Sequence, residues 1–144
     1  DYKNCFKSYE KGMKLDTTNA VIYNNYAYFL SLRNERLDKA LAMTEKAIRL
    51  SPNNPTYLDT YAWVLYRLGR YDEAKKTMQQ ALSLDRSQSP DLQLHYGDIL
   101  AALGEKFMAE VYWKKALEGG YDAPDAIVER FRRLKEAAQT PAAP

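Results

Sequence analysis

The sequence is poor in the features that mark several large classes of protein. It has one cysteine, Cys5, so no internal disulfide can form and no cysteine metal site is possible. No apolar stretch approaches the roughly 20 residues that a membrane-spanning helix needs. The 21 Lys and Arg against 19 Asp and Glu leave a formal net charge of +2, too small to indicate nucleic acid or an anionic membrane. Strand-like alternation never lasts more than a few positions, which argues against a β-rich fold.

What the sequence does have is apolar residues spaced three and four positions apart, together with 12 Tyr and 46% hydrophobic residues. This spacing is typical of amphipathic helices, and 144 residues suffice for one domain with a buried core. The sequence therefore predicts an all-α domain with helices near 2–15, 20–33, 37–49, 55–68, 71–84, 90–103, 106–118 and 124–137.

The helices repeat with a period of 34 or 35 residues. Small residues recur in one series at Ala27, Ala62 and Gly97, and in a second at Ala40, Ala74 and Ala109. Because two closely packed antiparallel helices need small residues where they cross, each repeat is predicted to be a helical hairpin. Proline marks where first helices begin, after the expected N-caps Asn54 and Ser89, and glycine marks hairpin turns at Gly69 and Gly104.

The pattern resembles the tetratricopeptide repeat. The second copy fits the family's order of large, small, aromatic and glycine positions best, with Leu58, Tyr61, Ala62, Leu65, Gly69, Tyr71, Ala74, Met78 and Ala81. The resemblance implies a right-handed superhelix, an α-solenoid of antiparallel helix pairs with about eight helices. Residues 57–69 and 94–100 are similar to long bacterial, Bacteroides-like proteins of this family. That resemblance implies a bacterial periplasm or cell envelope, with the cytoplasm as the alternative.

The predicted organisation is a single domain over 1–144. Residues 1–19 hold the second helix of a truncated repeat, whose stripe of Tyr2, Cys5, Phe6, Tyr9 and Met13 leads us to expect a chain cut from a longer protein. Three repeats follow, then a C-terminal capping helix and a flexible tail, at 20–54, 55–89, 90–121, 122–138 and 139–144. Cys5 takes the place of a small buried residue, so we expect it to be packed.

The sequence does not favour catalysis. Asp91, His95 and Asp98 share one helix face, but a single exposed face has no second wall and no pocket that excludes water. The glycines are turn or hairpin residues and not a phosphate-binding loop. The basic run at 130–135 is diluted by Glu129 and Glu136, as on a solvated helix face. We therefore expect no enzyme activity, no metal, no cofactor and no nucleic acid.

By resemblance, the first helices line a concave groove that holds a peptide or helix of a partner protein. The residues expected to face it are Asn24, Asn25, Tyr28, Asp59, Thr60, Trp63, Tyr66, Arg67, Leu94, His95 and Asp98. Aspartates outnumber cations among them, so a ligand with aromatic anchors and a basic or neutral flank should suit the groove. The alternative is a structural spacer or self-association module, with the exposed N-terminal helix as the contact between copies.

Overall fold

The computed structural model describes residues 2–140, and these form helices and no strand. Every helix begins and ends within two residues of its predicted bounds, and the all-α prediction is confirmed. The helices are α1 (Tyr2–Leu15), α2 (Ala20–Arg33), α3 (Leu37–Leu50), α4 (Pro55–Arg67), α5 (Tyr71–Leu84), α6 (Pro90–Ala102), α7 (Lys106–Glu118) and α8 (Pro124–Gln139).

The contacts group the helices into two compact units. The first runs to Arg86 and contains α1–α5, and the second begins at Ser87 and contains α6–α8. The boundary lies in the segment that carries an extra residue relative to the repeat, where Gln88 has a left-handed φ of 52°. A single domain over 1–144 stays a prediction, and the two units are described separately.

Small residues close the hairpins, as predicted. The pairs α2–α3, α4–α5 and α6–α7 make extensive contacts, and the alanines of both series are fully buried: Ala27, Ala40, Ala62, Ala74 and Ala109. Gly97 takes the alanine position in α6 because no larger residue fits. A Cβ atom there would lie 2.4 Å from Cδ1 of Trp113 and 3.2 Å from the Ala109 carbonyl oxygen.

The helix ends follow the sequence signals with two exceptions. Asn54 caps α4, since its Oδ1 accepts from the backbone N–H groups of Thr56 and Tyr57 at 2.9 and 3.2 Å. Gly69 has the left-handed φ of 81° that a helix-ending turn requires. In the first hairpin Asn34, with φ 54°, takes the place of the missing glycine. Ser89 precedes α6 but makes no side-chain cap to that helix.

In the first unit, α1 is attached by aromatic contacts. Phe6, Tyr9 and Met13 pack on a buried cluster that includes Tyr26, and the rings of Tyr9 and Tyr26 stack at 5.1 Å. The Tyr26 hydroxyl donates to Glu10 at 2.9 Å, and Nζ of Lys39 donates to the same carboxylate oxygen. None of the residues of α1 is buried.

Cys5 is exposed, so the prediction that it is packed was wrong. Its position in α1 matches that of Ala40 in α3, which faces the preceding helix of its hairpin. Among residues 2–140 no helix precedes α1, and the thiol therefore has no neighbour to cover it.

In the second unit, α8 packs on α7, and its role as a capping helix stays a prediction. Ile127 is fully buried, and the ring of Phe131 meets that of Trp113 edge to face at 5.8 Å. Ile127 is the only buried residue among those described in α8, so the apolar stripe of this helix is covered at its N-terminal end and partly open beyond it.

We predict that Gly97→Ala destabilises the second unit by about 1–2 kcal/mol, because overpacking against Trp113 outweighs the gain in helix propensity. Gly12→Ala is the matched control. The nearest atom to its new Cβ is the flexible Cδ1 of Ile22 at 3.1 Å, so the change should be neutral or stabilising by up to about 1 kcal/mol. Urea unfolding measures both. Equal effects of the two substitutions would contradict the close crossing at Gly97.

We predict that the attachment of α1 weakens at acid pH. The hydrogen bond from Lys39 holds the pKa of Glu10 below its ordinary value near 4.5. The unfolded chain therefore takes up this proton more readily than the folded one, and the contact stabilises α1 fully above about pH 4.5. Hydrogen-exchange protection of α1 amides, corrected for intrinsic rates, should fall as pH drops below that value.

In the Glu10→Gln variant the pH dependence of α1 protection should disappear, whereas Glu45→Gln, an exposed carboxyl on α3, should leave it unchanged. Protection in α1 that exceeded that of α4 at neutral pH, or that rose on acidification, would show that the contacts of Glu10 do not hold this helix.

Candidate functional site

In the first unit, α2 and α4 are neighbours and carry aromatic residues at matching repeat positions. Tyr28 on α2 is 40% exposed, and Trp63 occupies the corresponding position on α4. The half-buried rings of Trp63 and Tyr66 stack at 4.8 Å, and Tyr66 meets Tyr71 at 5.6 Å. We call Trp63, Tyr66 and Tyr71 the aromatic patch. It offers rigid, partly exposed ring surface of the kind that dominates binding interfaces.

The sequence prediction missed Tyr71. Tyr71 matches the aromatic position of the repeat pattern, but it is not among the residues predicted to face a ligand. The structure places it at the beginning of α5, beside the last turn of α4, where its ring extends the Trp63–Tyr66 stack and stays partly exposed. Its signal in the sequence was its short distance from Tyr66 across the hairpin turn.

On α2, one turn before Tyr28, lies a polar group with an unmet hydrogen-bonding capacity. Asn24 on α2 is 6% exposed, and within residues 2–140 its Oδ1 has no hydrogen-bond partner. Its Nδ2 donates to Oδ1 of the exposed Asn25 at 3.5 Å. An unsatisfied buried acceptor costs about 1–3 kcal/mol, so a side-chain rotation that presented this oxygen to an N–H donor would be stabilised.

The other residues predicted to face a ligand in the first unit differ in exposure. Thr60 is buried, and its hydroxyl donates to the Thr56 carbonyl one turn back at 3.1 Å. Asp59 is also buried, whereas Arg67 is exposed at the end of α4. The members of the predicted set in this unit with the most solvent-exposed surface are thus Asn25, Tyr28, Trp63, Tyr66 and Arg67. Their role in binding stays a prediction.

In the second unit, the predicted residues of α6 are mostly engaged in the fold. Asp98 is 8% exposed and accepts from Arg130 at 2.7 and 2.9 Å and from the Trp113 indole N–H at 2.9 Å. Leu94 is buried and His95 is half-buried. The expected acidic character of this helix is therefore reduced, because the charge of Asp98 is paired with Arg130, a residue that the sequence prediction placed in a solvated basic run.

The described residues contain no cluster of three or more His, Cys, Asp or Glu side chains placed to hold a metal ion. Asp91, His95 and Asp98 do not form such a cluster. The carboxylate of Asp98 is paired with Arg130 instead. Within residues 2–140, no helix is both long enough and apolar enough to cross a membrane.

The architecture is that of an α-helical repeat protein built from antiparallel hairpins. Residues 18–87 match the family model described as tetratricopeptide repeat. This segment therefore consists of tetratricopeptide repeats, and the resemblance to that family seen in the sequence is confirmed.

Known proteins agree with this assignment. The chain is 36% identical to the Protein STIP1 homolog of Dictyostelium discoideum over 87 residues, which cover 59% of the chain and 15% of that protein. It is 32% identical over 80 residues to a TPR repeat-containing protein of Pseudomonas aeruginosa, covering 56% of the chain and 13% of that protein. The matched segments thus span less than a fifth of either relative.

Among solved structures, the first tetratricopeptide domain of Spaghetti (RPAP3), bound to the HSP90 peptide SRMEEVD, has a TM-score of 0.72 at 19% identity. The match covers 87% of this chain and 97% of that one, and at this identity it shows a shared fold. Tetratricopeptide-repeat proteins are protein-interaction scaffolds.

We predict that Asp98→Asn destabilises the second unit by about 2 kcal/mol. The amide oxygen can still accept from Trp113, but the Arg130 guanidinium loses its anionic partner in a largely buried site. Asp91→Asn, on the exposed side of the same helix, should change stability by less than about 0.5 kcal/mol. Trp113 fluorescence during urea unfolding, measured with Trp63→Phe in every variant, reports on this unit. Equal effects of the two substitutions would refute a stabilising role for the ion pair.

Proposed function

We propose that this protein is a non-catalytic scaffold that binds a peptide or helix of a partner protein on the exposed side of its first helices. The observation that carries the proposal is the aromatic patch of the first unit. Trp63 and Tyr66 form a stacked pair that keeps part of its surface in contact with solvent, next to Tyr71.

Two further features support a peptide as the ligand. The unsatisfied Oδ1 of Asn24 is an acceptor to which a backbone N–H group could donate once the side chain rotates toward the surface. Tyr28 on the neighbouring α2 adds a second partly exposed ring at the matching repeat position. A chain segment with spaced aromatic or aliphatic side chains could place rings against α2 and α4 while its backbone donates to Asn24.

The proposal also draws on the tetratricopeptide-domain structure that holds the peptide SRMEEVD, because that protein shows what this fold can bind. We do not assume that the ligand of the present chain has the same chemistry as that peptide. The first unit of the present chain has a buried carboxylate, Asp59, on α4 and the exposed cation Arg67 at the end of the same helix. We therefore expect aromatic anchoring to govern selection more than charge.

The test begins with a peptide library displayed on phage. Peptides selected on the full chain should include a class that fails to bind Trp63→Ala. For such a peptide, calorimetry should show a loss of about 2 kcal/mol, or roughly thirtyfold in affinity, in the Trp63→Ala variant. Trp63→Phe should recover most of the affinity, because a ring remains to stack on Tyr66.

Tyr2→Ala serves as the matched control. This aromatic residue is 40% exposed and lies on α1 beneath Arg33, outside the aromatic patch. It should leave peptide affinity unchanged. The proposal fails if selected peptides bind Trp63→Ala as well as the unaltered chain. It also fails if the chain self-associates in sedimentation velocity and Trp63→Ala abolishes that association. This result would favour the spacer or self-association role.

A further inference from the structure

A second surface, in the other unit and unrelated to the aromatic patch, has the form of a docking site. A cleft of about 550 Å³ opens between the first turns of α7 and the C-terminal half of α8. Its walls are apolar and comprise Phe107, Phe131, Leu134 and Ala138. Phe107 is 75% exposed, so a large ring stands at the edge of the opening. The volume falls in the range of roughly 300–1,000 Å³ that is usual for ligand pockets.

The cleft follows from how α8 packs on α7. Ile127 is buried at the N-terminal end of α8, and Phe131 is held against the Trp113 ring. Beyond Phe131 the apolar stripe of α8 is only partly covered, and Leu134 remains half-buried. An apolar side chain that filled this space would remove the ring of Phe107 from water and would bury surface at about 25 cal/mol per Å².

The charges around the opening indicate the kind of partner. Lys106 and Lys135 stand at the rim on the two helices, and Glu110 is the one acidic residue that lines the cleft. In the described part of the chain none of these three side chains makes an ion pair. A ligand with carboxylates on both sides of an apolar residue could pair with both lysines, whereas a basic ligand would meet two like charges.

A second copy of the chain fits this chemistry poorly. The exposed helix of a second copy, α1, presents Lys3, Lys7, Lys11 and Lys14, and its one acidic residue, Glu10, is taken by Lys39. The two lysines at the opening therefore favour an acidic segment of another protein as the occupant.

We infer that the α7–α8 cleft docks an acidic segment of a partner protein, which inserts one large apolar side chain between Phe107 and Leu134 and pairs its flanking carboxylates with Lys106 and Lys135. This site is separate from the aromatic patch. The chain would then hold its partners at two surfaces with different chemistry.

The test uses the full chain and two fluorescent peptides of equal length. One has a phenylalanine between runs of glutamate, and the other has the same phenylalanine between runs of lysine. Fluorescence anisotropy at low salt should show that the glutamate peptide binds at least about tenfold more tightly, with an affinity that falls as ionic strength rises. Backbone NMR shifts on binding should concentrate in the first turns of α7 and the C-terminal half of α8.

Two substitutions should weaken binding of the glutamate peptide roughly tenfold: Phe107→Ala, which removes an apolar wall, and Lys135→Glu, which reverses a rim charge. Both side chains are exposed, so thermal unfolding should be nearly unchanged. The matched controls are Val128→Ala, an exposed apolar residue of α8 outside the cleft, and Lys76→Glu on α5. Neither should alter affinity, and nor should Trp63→Ala, which separates this site from the aromatic patch.

Three results would overturn the proposal. The first is equal affinity for the two peptides, or no binding of the glutamate peptide at concentrations up to about 1 mM. The second is binding that Phe107→Ala leaves unchanged. The third is self-association in sedimentation velocity that Phe107→Ala abolishes, because the occupant of the cleft would then be another copy of the chain.

Discussion

Close approach of the paired helices is the constraint on which the rest of the structure depends. The buried alanines of both series bring the backbones of each hairpin together, and at Gly97 even a methyl group is too large. Because the crossing points hold only small residues, the large side chains lie beside them. Some of these fill the core, such as Tyr26 and Met78, and others, such as Trp63, keep part of their surface in solvent. The same packing rule thus produces the core and the candidate binding surface.

The first and last helices, each in its own unit, are attached by different interactions. At α1 the contacts are aromatic rings with cations above them: the guanidinium of Arg33 lies 3.7 Å from the Tyr2 ring centroid, and that of Arg36 lies 5.1 Å from that of Phe6. At α8 a bidentate ion pair joins Arg130 to Asp98, with Trp113 as a third partner. The first arrangement lies at the surface, whereas the second is largely buried and is therefore sensitive to the loss of either charge.

The sequence predicted the helices and their pairing well, because spacing, proline and glycine signals all report local backbone geometry. It was less successful with the environment of single side chains. Tyr26 and Tyr96 are buried, whereas Tyr61, at the matching repeat position, is half-buried. Asp98 and Arg130 each looked like solvated residues, since a pairing across 32 positions leaves no periodic trace. Cys5 followed the repeat pattern but lacked the neighbouring helix that the pattern assumes.

The contact between Gly97 and Trp113 has a consequence for how the chain can change. The indole fills the space that any side chain at position 97 would need, and its N–H is at the same time a donor to Asp98. A larger residue at 97 therefore becomes acceptable only together with a smaller one at 113, and that second change leaves the carboxylate with Arg130 alone. Positions 97, 98 and 113 form an epistatic group, in which the effect of each substitution depends on the residues at the other two.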